Sequence, residues 1–260
     1  MQTVEVMMLN KDKFMGNSVS SREKEHFNAI AFEYENNYHL NDPAAKRKIL
    51  RLCEEYSECL NLSPEGPLLE IGAGTGFLTR HLYNLIKNRD YIASDISPEM
   101  LKIAKSTLSG KNNSVQWKVE DCLSYSFSNS SISAITGHGI LHHLDLEVAI
   151  KEISRILKPQ GRIAFYEPNI LNPYVFLIKK IPFLRPAGDT EDETAINPFK
   201  LNKLLKKYNF RKISIVPCEF TLNNTPDKLI VLFENFSRFL EKIPVVKYLG
   251  GSFRIKAEKI

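Results

Sequence analysis

Glu70-Ile71-Gly72-Ala73-Gly74-Thr75-Gly76 continues an apolar run that begins at Leu68, and Asp95 closes a second run, Tyr91-Ile92-Ala93-Ser94, about 20 residues on. Read in order, this is a buried strand, a glycine turn, a helix start and a second strand ending in a carboxylate. Glycines let a backbone approach a ligand where a Cβ would collide. A carboxylate accepts hydrogen bonds from both hydroxyls of a ribose. The chemistry implied is the binding of a nucleoside-containing cofactor. The spacing Gly72-x-Gly74-x-Gly76 differs from the G-x-G-x-x-G of nicotinamide and flavin binders, so a nicotinamide-dependent reductase fails on glycine spacing. A dinucleotide also needs its pyrophosphate seated on a helix N-terminus. A cofactor carrying an amino acid in place of phosphates benefits instead from a nearby carboxylate, which Glu70 provides.

These residues need an open sheet to hold them, and the pattern of the chain supplies one. Strands are expected at Pro67–Ile71, Tyr91–Asp95, Val115–Glu120, Ile132–Thr136 and Arg162–Glu167, alternating with helices near Phe77–Lys87, Pro98–Leu108, Leu146–Leu157 and Pro198–Tyr208. Lys158-Pro159-Gln160-Gly161 is read as a helix stop and turn. Helices are also expected from Ser21 to Tyr38 and from Asp42-Pro43 to about Cys59. Late strands Lys212–Val216 and Phe253–Ala257, with an apolar-rich helix from about Asp227 to Leu240 between them, fit a sheet that ends in an antiparallel strand. The fold class is therefore α/β: a doubly wound, seven-stranded, mostly parallel, Rossmann-like sheet with a helical cap from the N-terminus and late insertions. The expected division is an arm and cap helices over 1–60, a cofactor-binding core over 61–168, a substrate-side cap insertion over 169–200, and the end of the sheet with its inserted helix over 201–260.

Composition narrows the function classes. The chain has 260 residues, 43% of them apolar and 25% charged, which is globular rather than disordered. Thirty-five basic against 30 acidic residues give a net charge of +5, read as a mixed, solvated surface. Cys53, Cys59, Cys122 and Cys218 are scattered without a C-x-x-C pair, so reduced thiols and no metal site are expected. Met7-Met8-Leu9 is too short for a signal peptide and no apolar run reaches membrane-spanning length, which reads as a cytoplasmic protein.

With these motifs in order, the chain resembles the class I S-adenosylmethionine-dependent methyltransferases of the small-molecule type. The resemblance covers about Phe27 to Leu157 by motif and the remainder by order of elements. It implies that Glu70, Gly72, Gly74 and Gly76 wrap the methionine and ribose part, with Ala73 and Thr75 in the same loop. It also implies that Asp95 holds the ribose hydroxyls, that Ile96 and Met100 flank adenine, and that Asp121, in Glu120-Asp121-Cys122, faces the adenine amino group. Tyr34 resembles the tyrosine that closes over the methionine end, and Gly137-His138-Gly139-Ile140-Leu141-His142-His143-Leu144 lies where the family lines its methyl-transfer channel.

Methyl transfer from a sulfonium is mainly an alignment problem, and a general base is needed only when the acceptor loses a proton. His138, His142, His143, Glu167 and Tyr174 are the candidates, His138 foremost. Asn169 and Tyr174 follow the fifth strand, at the sheet edge where acceptors bind in such folds. The adenine and cytosine amine methyltransferase motif is absent after the fourth strand, and there is no basic stripe with interleaved aromatics, so nucleic acid is disfavoured. A small molecule is expected, with an apolar or lipid-like one in view. Tyr174 to Leu184 and Leu229, Leu232, Phe233, Phe236 and Leu240 read either as a lid packed on itself or as a peripheral membrane contact. In that second reading Lys179, Lys180, Arg185, Lys242 and Lys247 would meet anionic headgroups. The alternative to an enzyme is a non-catalytic subunit of the same fold acting as a partner protein. The acceptor atom (O, N or C) and the oligomeric state stay open.

Overall fold

The computed structural model describes residues 19–108, 114–181, 183, 189–190, 193–221 and 225–260. Of the loose arm expected over residues 1 to about 20, residues up to 18 lie outside the described residues and Val19 and Ser20 are helical; Leu184 and Arg185 also lie outside them.

The strands are β1 (Leu68–Ile71), β2 (Tyr91–Asp95), β3 (Gln116–Val119), β4 (Ile132–His138), β5 (Leu157–Pro168), β6 (Phe210–Cys218) and β7 (Ser252–Lys259). They form one sheet in the order β3-β2-β1-β4-β5-β7-β6. The first five strands are mutually parallel, and β7 runs antiparallel to both β5 and β6. This is the expected doubly wound plan with a late antiparallel strand. The order reverses between β1 and β4, so a crevice opens at their carboxyl ends. Gly72 follows one of these strands and His138 ends the other.

Helices cover both faces because the strands are apolar on both. In β5, Ile163 and Phe165 enter one core with Ile150, Ile153, Leu201 and Leu205, while Ala164 enters the other with Ile49, Leu52, Tyr56 and Leu68. The first core belongs to α6 (Leu146–Ile156) and α8 (Pro198–Lys207), the second to α3 (Pro43–Leu60). Capping fixes several helix starts. Asp145 accepts from the backbone N–H groups of Glu147 and Val148, Asn197 from Phe199 and Lys200, and Asn172 from Val175 at the start of α7 (Pro173–Lys180). Pro173 and Pro198 take the first helical position, where no donor is lost.

Four expectations change. The helix expected over Ser21–Tyr38 is α1 (Val19–Ile30), a turn, then α2 (Tyr34–Asn37), because Ala31-Phe32-Glu33 are residue types a helix would equally accept. The helix expected at Phe77–Lys87 shortens to α4 (Thr79–Leu82) and a 3₁₀ turn, Tyr83–Leu85, where tertiary bonds from Thr79 to Glu70 and from Tyr83 to Ser114 set the geometry. Lys158-Pro159-Gln160-Gly161 lies inside β5, at a register shift opposite Ile132–Ala134 where Gln160 has φ 62°, so it is a bulge instead of a turn. Finally α9 (Ile230–Leu240) does not bury its apolar stripe: Val231, Leu232, Phe233, Phe236 and Phe239 face outward, as do Tyr174, Phe176 and Leu177 on α7. The remaining helix, α5 (Pro98–Leu108), has the expected bounds.

Candidate active site

Two adjoining chambers open at the β1/β4 crevice. The first is lined by Gly72, Gly74, Asp95, Ile96, Met100, Asp121, Cys122 and Leu123, and α1 roofs it with Val19, Ser20, Glu23 and Phe27. The second is lined by Glu70, Ala73, Thr75, Phe77, Tyr38, His142, Asp189 and Glu193. Tyr34, Gly72, Gly74, His138, Gly139 and His143 line both and form their junction.

The glycine loop is held by conformations that only glycine adopts freely. Gly72, Gly74 and Gly76 have φ of 61°, 53° and 79°. A Cβ on Gly72 would meet Ile140 side-chain carbons at 2.5 to 2.8 Å, whereas one on Gly74 would meet no protein atom within 4 Å. Gly72 is thus a packing glycine, and Gly74 leaves space beside the chambers. Asp95 caps this loop: one oxygen accepts from the Gly74 backbone N–H at 2.8 Å, the other from the Ser97 N–H at 2.8 Å. Burial raises its pKa while those two N–H groups pull it down. Asp121 accepts from the Leu123 N–H at 2.9 Å. The Cys122 thiol is pushed up to about 12 by burial, so it is no thiolate nucleophile.

Glu70 stands at the floor of the second chamber, accepting from Thr79 Oγ1 at 2.8 Å and Tyr91 OH at 2.6 Å. Burial lifts it to about 7. At the chamber junction His138 stacks on Tyr166 with ring centroids 4.9 Å apart and meets the edge of Phe77. Burial pushes it down to about 4, so it is a neutral imidazole at pH 7.

Three expectations need correction. Glu167 reaches neither chamber. It is fully buried and accepts from the backbone N–H groups of Ile140, Leu141 and His142 and bonds His142 Nδ1 at 2.9 Å. Its role is to shape the histidine loop, because a buried carboxylate at the end of β5 is the acceptor those N–H groups require. Asn169 likewise faces away. Its Nδ2 donates to the carbonyls of Tyr248 and Gly250 and its Oδ1 accepts from the Leu171 N–H, so it clasps the tail to β5. Tyr174 is 62% exposed on α7 and lines neither chamber.

Glu23, Glu35, Asp189 and Glu193, which carry no sequence signal, complete the site, and Lys179 turns inward to them instead of toward headgroups. Glu35 accepts from Thr75 Oγ1 at 2.8 Å and from Arg80, fastening α2 to the glycine loop. Glu193 and Asp189 reach Lys179 Nζ at 2.6 Å each, and Tyr38 OH donates to Asp189 at 3.1 Å. His143 Nδ1 bonds Glu23 at 3.0 Å. Burial depresses His143, but Glu23 and Glu193 outweigh that and hold its pKa above the ordinary value. Only contacts distant in sequence bring these groups together.

The family pattern described as a methyltransferase domain matches residues 68–161, the segment from β1 into β5. The uncharacterized methyltransferase YodH of Bacillus subtilis is 27% identical over 169 residues, 64% of this chain and 70% of that protein. The demethylmenaquinone methyltransferase of Lactobacillus johnsonii is 30% identical over 167 residues, 56% of this chain and 68% of that protein. The chain belongs to the class I S-adenosylmethionine-dependent methyltransferases. Four of the methyltransferase's curated relatives are matched over 56% to 70% of their own lengths. Its fold also matches the geranyl diphosphate C-methyltransferase of Streptomyces coelicolor, solved with Mg2+, geranyl diphosphate and S-adenosyl-L-homocysteine, at TM-score 0.62 and 14% identity over 94% of this methyltransferase and 99% of that one. S-adenosylmethionine is the cofactor of the family, and the space at Gly74 beside Asp95 fits its ribose. No helix of the described methyltransferase is long and apolar enough to cross a membrane.

Proposed function

We propose that this methyltransferase transfers a methyl group to a small, apolar or lipid-like acceptor, with the donor's adenosine in the first chamber and its methionine end meeting the acceptor in the second. The observation that carries this reading is the junction at Tyr34, Gly72, Gly74, His138, Gly139 and His143, which joins the Asp95 side to an independent chamber. Residues 1–60 are read as an N-terminal arm and cap helices and 61–168 as the cofactor-binding core, with 169–200 as the substrate-side cap insertion and 201–260 as the end of the sheet with its inserted helix. S-adenosylmethionine supplies an already activated methyl on a sulfonium. The chain's own residues then align and enclose. Asp95 takes the ribose hydroxyls, Ile96, Met100, Asp121 and Cys122 surround the adenine, and Glu70, Ala73 and Tyr34 face the methionine end. His138, neutral and locked against Tyr166, borders the transfer path, and Glu167 positions His142 on the acceptor-side wall.

An apolar acceptor is supported by three observations. Phe77 and Leu78 line the second chamber, the demethylmenaquinone and geranyl diphosphate methyltransferases are among the similar proteins, and the outward faces of α7 and α9 are apolar. Those faces, with exposed Lys180, Lys228, Arg238 and Lys242 beside them, are read as resting on an anionic bilayer from which such an acceptor is drawn. The non-catalytic alternative is not favoured, since a partner subunit has no use for an open, Asp95-capped cleft.

The test is methyl transfer from labelled S-adenosylmethionine to a demethylated quinol, a prenyl diphosphate and a free sugar, with calorimetric titration of the donor alongside. Methylated quinol or prenyl product with the wild type, and none with Asp95→Ala, is expected. Product from the sugar alone would overturn the acceptor class, and no heat with the donor would overturn the methyltransferase reading.

A further inference from the structure

We propose that His142, His143, Glu193 and Glu23 form a binding site for one first-row divalent transition metal on the wall of the second chamber. The four come from three separate segments, α1 with Glu23, the loop after β4 with the adjacent His142 and His143, and the segment before α8 with Glu193, so no local spacing announces the whole set. His142, His143 and Glu193 place ligand atoms within 4.8 Å of one another. His143 Nδ1 lies 3.0 Å from Glu23 Oε2 and 3.4 Å from Glu193 Oε1, and His142 Nε2 lies 3.8 Å from Glu193 Oε2. A tetrahedral ion with bonds near 2.05 Å has ligand-to-ligand edges of about 3.3 Å, so the ligand atoms, now within 4.8 Å of one another, would draw closer to hold one.

The surroundings match what ligands need. His142 has its other nitrogen, Nδ1, on Glu167 at 2.9 Å, the outer-shell carboxylate that fixes the ring and turns Nε2 inward. Thr190 orients both carboxylates, its N–H donating to Glu193 Oε1 at 2.8 Å and its hydroxyl to Glu23 Oε1 at 2.7 Å. Charge is the independent observation. Glu23, Glu167 and Glu193 are 5%, 0% and 3% exposed, and Asp189 joins them with a side chain 6% exposed. Against these four carboxylates stands one ammonium, Lys179, bonded to Asp189 and to Glu193 Oε2. Four carboxylates against one ammonium require further positive charge, supplied by protons on the histidines or by a cation. Two imidazoles among the ligands select zinc, iron, cobalt or nickel over magnesium and calcium.

The inference stands apart from the acceptor assigned above, except in one consequence. An ion here would face the second chamber and bind an acceptor's hydroxyl or enol oxygen, making its proton more acidic.

Tag-free protein is assayed for metal by mass spectrometry as purified, then stripped with chelator and titrated calorimetrically with Zn2+, Mn2+ and Mg2+. One equivalent of Zn2+ is expected, bound about 100-fold more tightly than Mg2+, with Glu193→Gln and His143→Gln each weakening it about 100-fold. Co2+ added to the stripped wild type should give the visible absorption of imidazole ligation, a readout that needs no variant to fold. Wild-type protein that retains no metal and shows neither Zn2+ heat nor Co2+ bands would overturn the site, leaving protons on the imidazoles as the compensating charge. Donor titration of the same stripped sample separates the two readings: heat with S-adenosylmethionine but none with metal sinks this inference alone.

Discussion

Gly72 and Gly74 sit two residues apart and carry different burdens. Both have positive φ, but the Cβ position of Gly72 is filled by Ile140 and that of Gly74 is open. Gly72→Ala should cost about 2 kcal/mol or more in urea denaturation, from backbone strain plus overpacking. Gly74→Ala should cost about 1 kcal/mol of stability, yet reduce S-adenosylmethionine affinity measured by calorimetry. Equal stability losses with unchanged affinity would remove the distinction. Glu70 gives a pH prediction. Its pKa is about 7 folded against 4.5 for the ordinary group, so the folded chain holds a proton the unfolded chain releases. Its contribution is fully present below pH 4.5 and is lost as pH rises through 7, with a size of about 3 kcal/mol. His138 works oppositely, from about 4 folded against 6.5, so its contribution is present above pH 6.5 and is lost as pH falls through 4. The gap in Tm between wild type and Glu70→Gln, followed from pH 4.5 to 7.5, should therefore shift steadily against the wild type. A constant gap would contradict the buried, protonated carboxyl.

At the scale of elements, the site is where segments meet that no strand or helix joins directly. Asn169 is the clearest joint, binding two tail carbonyls and one N–H just after β5. Asn169→Ala leaves one buried and two part-buried backbone groups without their partner and should lower unfolding free energy by about 1–3 kcal/mol, read in chemical denaturation, with Kd for S-adenosylmethionine little changed. A large loss of donor affinity would mean that Asn169 shapes the first chamber after all. The elements themselves were largely legible: β2 and α5 fall where periodicity, flanking turns and Pro98 place them. The break between α1 and α2 was not legible, since its residues have no breaker chemistry and the tie from Glu35 to Thr75 and Arg80 is tertiary.

Across the whole molecule, the first chamber is lined from the ends of β1, β2 and β4 and from the α1 roof, so a donor bound there should stabilise the sheet and cap together. S-adenosylmethionine at 100 times its Kd stabilises the folded state by about 2.7 kcal/mol, which for a chain of this size raises Tm by roughly 5–10 °C. Differential scanning fluorimetry checks this, and the shift should vanish in Asp95→Ala. A shift that persists there would place the ribose elsewhere. The outward apolar faces of α7 and α9 belong to this scale too, because periodicity reports that a helix has an apolar face and leaves open what covers it.

The sequence by itself determined the sheet and, through its resemblance to a known family, the donor, and it singled out Asp95 as the candidate ribose carboxylate, because strand, glycine turn and carboxylate are local patterns. Only the tertiary structure decided that Glu167 and Asn169 serve the framework and that Glu23, His143, Lys179, Asp189 and Glu193 form one buried cluster. Polar groups brought together from distant segments are set by how the chain closes on itself, and a buried carboxylate reads in sequence the same as an exposed one.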